Sequence, residues 1–191
     1  VWLYREIKKS GGYAIYPHPY WNVGNHYHTE TKMSDAILKN KLCDAYEVLG
    51  GCAHEDNNLQ LALYNKLRIE GINIPIVGST DTHTTLKENY FFNSASTIAF
   101  CEDHDILGAV SDGYSVAVEH PKGEDIRIYG DFRLVKYARF LLENYFPMHN
   151  ELCFAEGKLI ECYVLGNTAL SGAIETTEDT ISGFEKQFFA R

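Results

Sequence analysis

Two short motifs constrain this chain most, because each follows an apolar run short enough to be a buried strand. Tyr16-Pro17-His18-Pro19 comes after Tyr13-Ala14-Ile15, and Gly78-Ser79-Thr80-Asp81-Thr82-His83 comes after Ile74-Pro75-Ile76-Val77. Such runs predict strands that hand over to loops at the motifs. In a barrel of alternating strands and helices, those handovers gather catalytic and metal-binding side chains. His18, Asp81 and His83 thus form a predicted partial metal site, and the chain reads as part of a metal-dependent hydrolase.

The rest of the chain supplies the alternation. A helix over Val1 to Lys9 is closed by Gly11-Gly12, and a strand follows at 13–17. Ser34 is the expected N-cap of a short helix running to Lys41. Ala45-Tyr46-Glu47-Val48-Leu49 is the next strand, stopped by Gly50-Gly51. A longer helix is expected over 57–70, with Leu59, Leu63 and Leu67 at helical spacing and Gly71 at its end. Strands at 74–78, 97–100 and 114–118 follow, with a helix at 104–111 between the last two. Strands recurring at intervals of roughly 30 residues, later about 20, predict a parallel sheet or barrel. About five strands fall short of a closed eight-unit barrel, which takes ~250 residues. Beyond residue 125 the pattern changes to a strand at 126–129 and helical stretches at 134–146, 149–165 and 178–189. The expected division is therefore a barrel portion over 1–125 and a helical extension over 126–191, packed on it.

Composition narrows the function. The 191 residues are 45% hydrophobic and 23% charged, as in a globular protein with a core, and the net charge is −9. An acidic chain argues against nucleic acid as a partner. It leaves small anionic substrates open, because a bound metal reverses the local field. No apolar stretch approaches the ~20 residues that span a bilayer. Five scattered cysteines without a CxxC pair fit a reducing compartment, hence the cytoplasm. A chain that opens at Val1 inside a helix is expected to lack the front of a longer protein.

In an extended backbone Asp81 and His83, two apart, point to the same side and reach one metal or neighbouring ones. His26 and His28 form a His-x-His in a polar loop; they read as solvated, with substrate contact or an accessory metal as the alternative. Tyr20 and Trp21 either wall a pocket or pack in the core or at its rim. Glu47, inside an apolar strand, needs a partner: it either serves the site from behind or pairs with a Lys or Arg. His54 and Glu55 read as capping and solvent residues, and His104 and His149 as surface or cap residues. Glu119-His120-Pro121 follows a strand and is a further candidate for the site's lining. Arg133, Lys136 and Arg139 recur every three residues as a solvated helix face or a phosphate clamp.

The motifs Tyr16-Pro17-His18-Pro19, Asp44-Ala45-Tyr46-Glu47-Val48 and Ile76-Val77-Gly78-Ser79-Thr80-Asp81-Thr82-His83, in that order, resemble the PHP (polymerase and histidinol phosphatase) family over roughly residues 10–120. The resemblance implies a distorted (β/α)7 TIM-like barrel, here without its N-terminal part. It implies two or three divalent ions (Zn, Mn or Fe) in the complete protein, with His18, Asp81 and His83 as ligands. The implied activity is hydrolysis of a small phosphorylated metabolite or nucleotide, with Asp81 able to take a proton from water. The family's early His-x-His has no counterpart before His18, so the missing front or a second chain would complete the barrel. Two other readings stay open: hydrolysis of an amide or other ester, and a non-catalytic binding module.

Overall fold

The computed structural model describes residues 2–24, 26–27, 29–50, 52–84, 94–121 and 124–189, the side chains of Val23, Tyr27 and His54 excepted. The chain divides into two compact units, Val1–Val135 and Lys136–Arg191. Among the described residues no helix is long and apolar enough to cross a membrane.

The first unit opens with α1 (Trp2–Lys9), which leads into β1 (Ile15–Tyr16). A hairpin of β2 (Asn22–Val23) and β3 (His26–Tyr27) precedes α2 (Thr31–Lys39), β4 (Ala45–Leu49), α3 (His54–Ile69) and β5 (Ile76–Gly78). β1, β4 and β5 form one parallel sheet in the order β1-β4-β5. Its register pairs Tyr16 with Tyr46 and Tyr46 with Ile76, and shifts between Glu47 and Leu49. All five residues of β4 are buried, as a central parallel strand covered on both faces requires. Leu38, Tyr46, Val48, Leu49 and Leu67 are core residues of the cluster packed on it.

The second sheet of this unit corrects the expected barrel. β6 (Ala95–Ala99), β7 (Ser115–Glu119) and β8 (Arg127–Tyr129) are antiparallel neighbours in that order. A (β/α)7 barrel needs parallel strands throughout, and no barrel closes among the described residues. The strand positions were legible, but the return direction was not. Between β6 and β7 lies only α4 (Ile106–Ser111), six residues capped by Asp105. Six helical residues rise about 9 Å. A five-residue strand extends about 17 Å, so the helix spans only about half the strand beside it, and the chain turns back antiparallel. Instead Phe100 N–H donates to the Tyr114 carbonyl at 2.8 Å and closes the pair like a long hairpin.

Side-chain hydroxyls join the two sheets where β5 meets β6 and β7. Thr97 Oγ1 donates to the Gly78 carbonyl at 2.7 Å and accepts from Gly78 N–H at 3.0 Å. Ser115 Oγ donates to the Ile76 carbonyl at 2.8 Å. The approach is close enough that only glycine fits at 78, since a Cβ there would lie 2.4 Å from the Ser96 carbonyl oxygen.

Smaller differences have local causes. Ser34 lies inside α2, whose N-cap is Glu30. Its hydroxyl is instead turned inward, 2.9 Å from the Tyr16 hydroxyl. α3 starts at His54, so His54 and Glu55 open the helix rather than precede it, and Ala53 is the N-cap.

α5 (Phe132–Asn144) crosses the division between the units. The second unit continues with α6 (Phe146–Val164), a 3₁₀ turn at Thr168–Leu170 and α7 (Ser171–Phe189). Pro147 sits in the first turn of α6, where its missing N–H is harmless. Tyr145 is the hub of this unit: its ring lies 5.6 Å from Phe184, 5.2 Å from Phe188 and 4.8 Å from His149. His149, read from sequence as a surface or cap residue, thus belongs to an aromatic cluster, with Nε2 3.4 Å from Glu185.

Replacing Gly78 by Ala should lower the unfolding free energy by about 1–3 kcal/mol, the usual range for overpacking, measurable by urea titration. The thiols supply a second check. Burial pushes Cys43 up to about 11, whereas Cys101 and Cys162 are exposed. A thiol reagent at neutral pH should label Cys101 and Cys162 at once and reach Cys43 only after unfolding.

Candidate functional site

The three parallel strands end on the same side, and the motif residues leave from those ends. His18 follows β1, Glu47 lies within β4, and Ser79 follows β5. Glu47 is 2% exposed and is the centre of the group. Its Oε1 accepts from His18 Nδ1 at 2.9 Å and from His18 backbone N–H at 3.2 Å. Its Oε2 accepts from the Ser79 hydroxyl. The partner that the sequence demanded for Glu47 is therefore a histidine and a serine, neither Lys nor Arg. The register shift after Glu47 is a bulge-like irregularity of the kind that re-aims side chains beside sites.

His18 carries the clearest electrostatic signature. The hydrogen bond to Glu47 raises its pKa above the ordinary histidine value, against the opposing effect of burial, with the charges of Glu47 and Asp81 adding to the rise. Asp81 is thus an electrostatic neighbour of His18. Trp21 stands edge-on to the His18 ring at 5.9 Å and walls it, while Tyr20 is buried in the core.

His83 behaves differently. Its Nε2 lies 3.2 Å from Asp81 Oδ1, but its side chain is 84% exposed. The pairing has another origin than the extended backbone expected from the sequence. Asp81 has φ +52, in the left-handed region, so the chain turns at Asp81. His18 also has positive φ, +20. Non-glycine residues in that region cost of order 1–3 kcal/mol each and persist where the surroundings fix them.

Behind Glu47 lies a polar network that the sequence reading missed. Asn57, fully buried on α3, accepts from Gly50 N–H at 3.0 Å and donates to the Gly50 carbonyl at 3.1 Å and to Glu119 Oε1 at 2.7 Å. Gln60 Nε2 donates to Asn57 Oδ1 at 2.7 Å, and Glu119 is paired with Arg127. The signal was present: Asn57 and Gln60 continue the buried Leu63–Leu67 face of the helix towards its N-terminus, whereas Leu59 is 39% exposed. Cys52 senses the charge here. Its thiol is pushed up to about 12, first by burial and then by Glu47, Asp56 and Glu119.

The remaining candidates lie elsewhere. His26 is exposed on the β2–β3 hairpin rather than in a loop, and His28 lies outside the described residues. Glu119 reaches the network through Asn57, and His120 is a half-buried neighbour whose pKa burial lowers. Arg133, Lys136 and Arg139 are exposed on α5, with Arg139 paired to Glu143 at 2.8 Å. His104 is exposed.

Among the described residues no three His, Cys, Asp or Glu side chains form a group able to hold a metal ion. The donor chemistry, imidazole nitrogen and carboxylate oxygen, is of the type that Zn, Mn and Fe accept. No protein-family model, curated protein or solved structure matches this chain.

The raised His18 pKa makes a pH prediction. The stability that His18 draws from Glu47 is fully present below the unfolded value near 6.5 and is lost as pH rises through the higher folded value. Glu47→Gln should lower the His18 pKa in an NMR titration. The stability advantage of the unmodified protein over that variant should shrink as pH climbs through the same window.

Proposed function

We propose that this chain contributes to a metal-dependent phosphoesterase similar to the PHP family, acting on a small phosphorylated metabolite or nucleotide. The observation that carries the reading is the carboxylate–histidine pair of Glu47 and His18 at the ends of adjacent parallel strands. A histidine that ligates a metal almost always gives its other ring N–H to such a partner. With Nδ1 donating to Glu47, neutral His18 carries its lone pair on Nε2. The proposal rests on the motifs and these strand ends, not on a barrel.

In this reading His18, Asp81 and His83 are the metal-binding residues. A divalent ion bound there would lower the pKa of water and stabilise charge on phosphoryl oxygens. Glu47 would hold the His18 ring and its tautomer, Ser79 would hold Glu47, and Trp21 would shield the ring from water. Asp81 would accept a proton as general base. Two or three ions need more donors than these three side chains, so the complete centre would draw on another segment or a second chain. Five free thiols among the described residues support a cytoplasmic setting. The other reading is a non-catalytic binding module, in which the same strand-end pair serves a partner without a metal.

The test is Mn²⁺ or Zn²⁺ binding by the purified chain, measured by calorimetry, beside a variant carrying His18→Ala and Asp81→Ala. About one equivalent or more, lost in the variant, is the expected result, and hydrolysis of an aryl phosphate by the metal-loaded protein would follow. No binding in either form would overturn the metal reading for this chain and leave the binding module.

A further inference from the structure

The most completely satisfied side chain near the site is one that the proposed reaction does not use. Asn57 has no exposed surface, and the amide holds both the N–H and the carbonyl of Gly50. Gly50 directly follows β4 and faces Glu47: a Cβ on it would lie 2.1 Å from Glu47 Oε1. Oε1 is the oxygen that receives both His18 bonds. The Gly50 peptide is therefore the surface against which the Glu47 carboxylate lies. Asn57 is itself fixed from behind, by Glu119 at 2.7 Å and by Gln60 at 2.7 Å, and Arg127 neutralises Glu119.

We infer that Asn57 is a positioning residue: by clamping the Gly50 peptide it holds Glu47, and through Glu47 the His18 imidazole, in one orientation. The relay runs from Arg127 on β8 through Glu119 on β7 and Asn57 on α3 to Gly50, Glu47 and His18. It joins the antiparallel sheet to the site at the ends of the parallel one. Glycine at 50 is required by contact, since its φ is not in the left-handed region. The inference deepens the proposed function by naming what orients its first ligand. Its test uses neither metal nor substrate, so each can fail without the other.

The experiment compares the His18 ring in the unmodified chain, Asn57→Ala, Gly50→Ala and Leu67→Ala by long-range ¹H–¹⁵N NMR at one pH. Leu67 is a buried residue of the same helix with no polar bond to the site, so its variant controls for lost stability. The Nδ1–H pattern of a ring held by Glu47 should persist in the unmodified chain and in Leu67→Ala. It should be lost, giving the averaged tautomers of a free imidazole, in Asn57→Ala and Gly50→Ala. A folded Asn57→Ala that keeps the pattern would overturn the inference, as would loss of the pattern in Leu67→Ala. Should Asn57→Ala not fold, Asn57→Asp decides, because it keeps the acceptor for Gly50 N–H and removes the donors to the Gly50 carbonyl and Glu119. Retention of the pattern there would overturn the inference too.

Discussion

A carboxylate inside a strand covered on both faces dictates much of the arrangement around it. Glu47 occupies the middle of β4, 2% exposed. A charge so placed is tolerated only with partners that replace water. Those partners come from both neighbours in the sheet: His18 from the end of β1 and Ser79 from the end of β5. The order β1-β4-β5 is thus both the packing solution for three apolar runs and the only order in which Glu47 meets both motifs at once. Removing one partner of a buried pair typically costs about 3–5 kcal/mol, a large share of a domain's stability. Site geometry and strand order depend on each other through that one side chain.

The same constraint accounts for the backbone at the site. His18 takes positive φ where its own N–H reaches Glu47 Oε1, so the bond that satisfies the carboxylate also holds the unusual conformation. Asp81, likewise in the left-handed region, is the middle residue of a turn in which Thr82 N–H donates to Thr80 Oγ1 at 3.2 Å. The turn brings Asp81 Oδ1 to His83 Nε2 and leaves the His83 side chain in solvent. The two halves of the second motif consequently have different surroundings: Ser79 is bonded to Glu47, and the Asp81–His83 pair is exposed.

What the sequence disclosed follows the physics of each element. Buried strands such as β4 are legible because both faces are apolar and the run is continuous. Strand direction is not, because pairing depends on the length of the connection and on where the chain can return. β6 carried a hint: only its first residue is buried, unlike the fully buried β4 and β7. At the site, a lone carboxylate in an apolar run announced that Glu47 needs a partner, but periodicity holds no information on which neighbour supplies it. Asn57 and Gln60 were readable as polar residues on an apolar helix face. An amide there has to bond to something buried, and the helix reading that began at residue 57 placed them at its frayed end instead of inside it. The left-handed backbone at His18 and Asp81 left no trace, as neither is a glycine.

Charge decides which functional readings are compatible with one another. Around the strand ends stand Glu47, Asp56, Asp81 and Glu119, against Arg127 and a histidine hydrogen-bonded to Glu47. Burial pushes the Cys52 thiol up, and the charges of Glu47, Asp56 and Glu119 add to the rise. A phosphorylated substrate approaching these carboxylates meets repulsion, which is screened least where the charges are buried. A divalent cation reverses the sign locally. The phosphoesterase reading therefore cannot be separated from the metal: without a cation bound near His18 and Asp81, the same charges would select a neutral or cationic partner, which is the chemistry of the binding module.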